Sequence, residues 1–267
     1  MTELQNIAKK LFDEGSINLL IGYSNNENGG TSAIFIDNSA DVDKLIYNEN
    51  CHQNLMVYFQ KPEVKKFGKL AFVVSLPGLK SVLEIASENQ IKDGDAYFIA
   101  IDKDGNPSLL QDFHQIEDFI TNNQTKPPMG LLKLMEKINN MTREERWQYW
   151  TDEFSKCIKC YACRSVCPLC YCTQCITDIN IPQWISTESS PIGNLDWHIA
   201  RAMHLAGRCI GCGECMKACP VDIPLALLTA NLNKSIAIHF GDEPGMKADY
   251  KYPLSHYKLE DKENFIR

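Results

Sequence analysis

The stretch Cys157–Cys175 reads CIKCYACRSVCPLCYCTQC and packs seven cysteines into nineteen residues. Its first four thiols fall as Cys-x2-Cys-x2-Cys-x3-Cys-Pro, at Cys157, Cys160, Cys163 and Cys167. The same spacing returns in CIGCGECMKACP, at Cys209, Cys212, Cys215 and Cys219, again with proline after the fourth. Zinc favours closed tetrahedral sets built from Cys-x2-Cys pairs and has no use for a third cysteine at that spacing followed by x3-Cys-Pro. Two matched copies point instead to a polynuclear inorganic group held by thiolates.

Three close cysteines and a fourth followed by proline form the ligand pattern of bacterial two-cluster ferredoxins, where the fourth cysteine reaches the other [4Fe–4S] cluster. The expected sets are therefore crossed. Cys157, Cys160, Cys163 and Cys219 would hold the iron of one cluster, and Cys209, Cys212, Cys215 and Cys167 that of the other. Cys170, Cys172 and Cys175 remain, three thiols where a cubane needs four ligands. Outside the rich segment the chain has one more cysteine, Cys51 in NENCHQNL, and including it uses all twelve. A third cluster bridging the two halves of the chain, with Cys51 as its long-range ligand, is the expectation. The alternatives are a histidine such as His52, a partner chain or no fourth ligand, with Cys51 then an ordinary buried thiol. Lys156, Lys159, Arg164, Arg208 and Lys217 would offset the negative charge of thiolate-bound iron, or simply face solvent. Ile158, Ala162, Ile210 and Gly211 leave room for backbone N–H donors to sulfur.

The rest of the chain has to position these thiols. At 267 residues it has room for one large or two modest domains, and its net charge of −7 argues against nucleic acid as a partner. Eleven of the twelve cysteines lie between Cys157 and Cys219, a composition break that places a boundary near residue 150. The expected organisation is a 1–125 α/β domain, a 126–155 helical linker, a 156–232 dicluster ferredoxin-like domain with the third site, and a 233–267 tail. Within the first part, Glu3–Asp13 is a helix ended by Gly15, and residues 17–24 and 32–37 are strands joined by the turn-rich NNENGG. A short helix is expected over 43–47, and strands at LMVYFQ, KLAFVVSL and DAYFIAID, with a helix over 79–88 between the last two. That alternation implies a mixed-sheet α/β layer with some parallel pairing, ahead of the ferredoxin-like part with helical insertions. TNNQTKPP reads as a linker. Helices follow over 131–139 and 144–154, the second opened by a Thr142/Glu145 capping box, and another at IPLALLTANLNKSI. From Gly241 the tail has little periodicity and reads as mobile or laid along a partner.

The opening MTELQNIAKKLFDEG has no secretory character, and runs such as LAFVVSL are too short to span a bilayer. A cytoplasmic chain without membrane insertion is expected, where thiols stay reduced and a disulfide framework is out of place. Trp147, Trp150, Trp184 and Trp197 are expected to pack around the clusters and exclude water. His198 and His204 share a helix just before Cys209, with packing or exposure the plain reading of each. No nucleophile–base pair or carboxylate dyad is visible, so no catalytic residue is assigned.

CIKCYACRSVCPLCYCTQC, PQWIS and HIARAMHLAGRCIGCGECMKACPVDIPLALL together resemble the iron–sulfur beta subunits of formate dehydrogenases and deazaflavin-reducing hydrogenases. They are also similar to iron–sulfur subunits that accompany heterodisulfide-reductase-like and aldehyde or benzoyl-CoA reductase complexes. The likeness is dense over about 150–232 and looser over the first 125 residues, at GYS, NENCHQNL and VVSLPGLKSVLE. It implies an electron-transfer subunit of an anaerobic oxidoreductase complex, relaying electrons between a catalytic subunit and a flavin-bearing subunit or ferredoxin. The alternative it carries is an FAD-containing oxidoreductase subunit that itself reduces a nicotinamide or deazaflavin coenzyme. Against FAD stand Ser75, Pro77 and Gly78 where coenzyme-reducing members have a cysteine-containing loop, and the lack of a GxGxxG cradle.

Overall fold

The apolar runs LLIGYSN and LAFVV are buried along most of their length because they form the inside of a five-stranded sheet. In the computed structural model, which describes residues 1–251 apart from 125, 126, 128, 179, 180 and 242, this sheet has the order β2-β1-β3-β4-β5. β1 (Leu19–Asn25), β3 (Leu70–Val74) and β4 (Ala96–Ile101) are mutually parallel, with Leu20 opposite Ala71 and Phe72 opposite Phe98. β2 (Thr31–Ile36) and β5 (Pro107–Leu110) close the edges antiparallel. Continuous burial of the parallel strands and the half-buried pattern of β2 follow from that arrangement, since only a central strand is covered on both faces. Pro107 begins an edge strand, where its missing N–H leaves no ladder bond unmade.

Helices α1 (Glu3–Asp13), α2 (Pro62–Lys65), α3 (Leu76–Ser87) and α4 (Phe113–Asn122) complete this layer. α1 opens with a capping box in which Thr2 and Gln5 satisfy each other's backbone N–H groups. The architecture is the mixed α+β sheet expected from sequence, with differences in detail. LMVYFQ is not a strand but a 3-10 turn over Leu55–Tyr58, capped by the Asn54 side chain, which accepts from Met56 N–H at 3.2 Å. Adjacent Leu55 and Met56 are both buried, which successive strand residues on opposite faces could not achieve against one core. The short helix expected over 43–47 falls earlier, as a 3-10 helix over Ser39–Lys44, and Ile46 bridges to Tyr23 instead. β5 and α4 had no expectation attached to them.

The chain then forms α5 (Met129–Asn139), α6 (Arg143–Ser155), α7 (Ala162–Ser165), α8 (Pro191–His204), α9 (Glu214–Lys217) and α10 (Leu225–Phe240). These surround a second core that includes Trp150, Phe154, Cys157, Cys163, Trp197 and Leu227. α6 carries the Thr142/Glu145 capping box.

Two features join the halves. Glu88, at the end of α3, accepts from Arg208 and from the Tyr171 hydroxyl, both in the cysteine-rich part. The segment after α10 returns to the sheet layer rather than leaving the molecule. There Gly245 N–H donates to Glu84 (2.9 Å), Ala248 N–H to Glu117 (2.9 Å), and the Tyr250 hydroxyl to the Gly207 carbonyl (3.1 Å). Up to residue 251 the tail is therefore anchored on its own chain, and the rest of that expectation lies outside the described residues. Gly245 is required there: its φ is +72°, and a Cβ would sit 2.6 Å from the Lys80 carbonyl oxygen.

Glu84 is fully buried under this strap, and its Oε1 has no hydrogen-bond partner among the described residues. Burial, with Glu88 adding, pushes its carboxyl up to about 8. The folded chain thus keeps a proton that the unfolded chain loses near the ordinary carboxyl value. Stability from this group is fully present below that value and is lost as pH rises toward about 8, at up to about 1.4 kcal/mol per pH unit. Denaturant titrations from about pH 5 to about 8 should show the wild type losing stability faster than Glu84→Gln. Parallel pH profiles for the two proteins would refute the assignment.

Candidate iron–sulfur centres

Both cysteine loops are built from the same backbone turns. In the first, Lys159 and Tyr161 have φ of +57° and α7 follows at once; in the second, Gly211 and Gly213 have φ of +73° and +76° and α9 follows. Counted from the first cysteine of each motif, the positions are identical. This turn aims amides at sulfur: Lys159 N–H donates to Cys157 Sγ at 3.4 Å, and Gly211 N–H does the same for Cys209. Glycine adopts such a turn freely, whereas Lys159 and Tyr161 are strained by about 1 kcal/mol or more each. Their side chains hold them there. Lys159 Nζ donates to the Ser186 carbonyl, and the Tyr161 ring stands edge-on to Trp197 with centroids 5.3 Å apart.

The fourth cysteine of each motif lies among the other motif's three. Burial raises the Cys157 thiol, and Cys160 and Cys219 raise it further. At Cys163 burial leads again, Arg201 opposes, and Cys157, Cys160 and Cys219 add to the rise. On the other side burial lifts Cys212, helped by Cys167, Cys209 and Cys215. Cys215 is pushed up to about 12 by burial, against Arg201 and with Cys209 and Cys167. Thiols that close and that buried resist ionising together, and only a strongly cationic group among them stabilises all as thiolates. The donor chemistry therefore fits iron–sulfur clusters. Among the described residues no three His, Cys, Asp or Glu side chains are grouped so that they could hold a single metal ion.

Cys170, Cys172 and Cys175 line a separate cavity of about 710 Å³, together with Arg164, Arg201, Arg208, Trp197 and His204. The Cys170 thiol hydrogen-bonds Cys167, and that bond lowers the Cys167 thiol against the effect of burial. Thr177 donates to Cys175 Sγ at 3.3 Å, and Cys175 N–H donates to Asp178. Cys51 is not brought to these three. Its buried thiol, accepting from Asn48 N–H at 3.4 Å, faces a different cavity of about 580 Å³ beside His52, Ser75, Lys103, Cys212 and Lys217. The fold thus seats Cys51 at the carboxyl ends of β3 and β4, next to the second cluster set.

The flanking cations mostly have partners of their own. Lys156 pairs with Glu153, Arg164 with Asp178, Arg208 with Glu88 and Lys217 with Glu214. The residue that sequence reasoning missed is Arg201, which is 4% exposed and surrounded by thiols. A signal was present: Trp197, Arg201 and His204 recur at helical spacing on one face of α8. His198 is buried, stacked on Phe154 with centroids 4.6 Å apart, and burial together with Arg201 and Lys159 lowers it to about 4. It packs as a neutral ring, whereas His204 is exposed. Trp150 and Trp197 enter the core as expected. Trp147 (57% exposed) and Trp184 (74%) do not, because Trp147 lies on the outer face of α6 and Trp184 in the loop before α8.

Residues 205–224, which carry the second motif, match the 4Fe-4S binding domain family. That segment carries a 4Fe–4S binding pattern, and the fold joins it to a mixed five-stranded sheet. Over 120 residues the chain is 34% identical to the F420-dependent formate dehydrogenase subunit beta of Methanocaldococcus jannaschii, covering 43% of this chain and 31% of that protein. With the F420-dependent formate dehydrogenase 1 subunit beta of Methanococcus maripaludis it shares 32% identity over 126 residues, 46% of this chain and 32% of that protein. The chain is thus related to the iron–sulfur beta subunits its cysteine segments resemble, over less than half its own length and about a third of theirs. Among the described residues no helix is long and apolar enough to cross a membrane.

Proposed function

We propose that this chain is an iron–sulfur electron-transfer subunit of an oxidoreductase complex, with two crossed [4Fe–4S] sites and a third at Cys170, Cys172 and Cys175. The observation that supports it best is reciprocal: Cys219 lies with Cys157, Cys160 and Cys163, and Cys167 with Cys209, Cys212 and Cys215. Bound clusters supply one-electron storage. The chain's residues would hold them and aim amides at the ligand sulfurs, with Cys160 of the first set and Cys172 of the third group exposed. The partners are a catalytic oxidoreductase subunit and a flavin- or iron–sulfur-bearing redox subunit, with electrons passing between them. The third site takes its fourth ligand from a residue other than Cys51.

An iron and sulfide count on anaerobically reconstituted protein tests this. About twelve irons per chain are expected, and about eight would remove the third site. Cys51→Ser should leave the count unchanged; a loss of about four irons would return Cys51 to the ligand set. Iron-free or zinc-loaded protein would end the reading altogether.

A second reading, in which the chain itself carries a flavin, draws on the cavity of about 580 Å³ at the carboxyl ends of β3 and β4 beside Cys212. Open α/β sheets bind ligands at that edge. It requires extractable flavin and coenzyme-dependent dye reduction; purified protein whose visible absorption is iron–sulfur alone excludes it.

A further inference from the structure

Arg201 projects from α8 into the middle of the cysteine-rich part and is 4% exposed. Its Nη2 donates to the Cys163 carbonyl at 3.1 Å, while its buried Nε has no hydrogen-bond partner among the described residues. Arg208 and Arg164 each have a carboxylate, but among the described residues none lies within ion-pair distance of Arg201. A guanidinium buried without a counter-charge is a highly unfavourable placement, so buried charges are paired as a rule. What surrounds this one is thiols. Cys163 belongs to the first set, Cys167 and Cys215 to the second, and Cys170 to the remaining three.

We propose that Arg201 is a shared positioning charge, the built-in counter-ion of both cluster sites and of the Cys170 group, which raises their reduction potentials. The inference rests on the two-cluster reading above. A cluster that accepts one electron gains one negative charge, and Arg201 neither takes up nor releases a proton, since guanidinium stays charged throughout the accessible range. A fixed positive charge stabilises the reduced form more than the oxidised one. Because a single side chain lies between the sites, it acts on all of them in the same direction.

The test is potentiometric titration of the full chain with dithionite, followed by electron paramagnetic resonance, with iron counted on the same samples. Arg201→Gln should keep its iron and lower the midpoint of each resolved cluster at least tenfold in reduction equilibrium constant, 59 mV for one electron. Arg201→Lys, which keeps the charge, should stay within about threefold of wild type, a shift well under one tenfold step. Full iron with unmoved midpoints in Arg201→Gln overturns the proposal. If Arg201→Gln does not load iron, Arg201→Lys decides: retained iron and midpoints support the charge role. Lost iron, or a shift of tenfold or more, in the lysine variant shows a structural strut instead. Wild-type protein without iron would sink the cluster reading before this one is reached.

Discussion

Replacing Cys219 with serine should lower the iron content by one cubane, about four irons per chain, and the loss should fall on the set of the other motif. Cys219 belongs in sequence with Cys209, Cys212 and Cys215, but its field is felt at Cys157 and Cys163. A serine hydroxyl stays protonated where a thiolate is needed, so the open corner is filled poorly. Double variants locate the lost cluster. Cys157→Ser with Cys219→Ser should lose no more iron than Cys157→Ser alone, because both empty one site. Cys209→Ser with Cys219→Ser should lose about eight irons, because two sites go. The opposite pattern would uncross the sets and remove the main support for the dicluster arrangement.

Glu88→Ala should destabilise the folded chain by about 3 kcal/mol in denaturant titration, the range seen when one partner of a buried ion pair is removed. The Glu88 and Arg208 side chains are only 11% and 16% exposed, so solvent screens little of the interaction. Arg208 Nη2 donates to Glu88 Oε2 at 2.8 Å, Arg208 Nε and the Tyr171 hydroxyl bond the same carboxylate, and the guanidinium lies over the Tyr171 ring. Removing Arg208 as well, by Arg208→Met in the Glu88→Ala background, should recover part of the loss, since the stranded cation goes with its partner. A change under about 0.5 kcal/mol in Glu88→Ala would mean that the contact contributes no more than an ordinary surface substitution.

The sheet was legible where burial is continuous. LAFVVSL and DAYFIAID each contain an unbroken run of apolar and aromatic residues, Leu70–Val74 and Ala96–Ile101, and these form two parallel central strands. LMVYFQ is also mostly apolar and aromatic, yet it forms a 3-10 segment capped by the neighbouring Asn54 side chain. At the site, periodic thiol spacing and the following prolines carried the pattern of the two motifs. Cys51 was paired with Cys170, Cys172 and Cys175 by counting thiols, and arithmetic contains no distance; the chain instead turns at Asn48–Asn54 and brings it to Cys212. Arg201 escaped notice for a related reason. Basic residues were sought beside cysteines in sequence, whereas helical geometry delivers this one from eight residues before Cys209.

The chain between Gly241 and residue 251 turns back over the first half and fastens at Glu84, Glu117 and Gly207. With the covalent crossing near Asn122 and the contact at Glu88, the two halves are tied at three places, so neither is free to swing like a hinged module. In the electron relay proposed above, these ties would set the gaps an electron must jump.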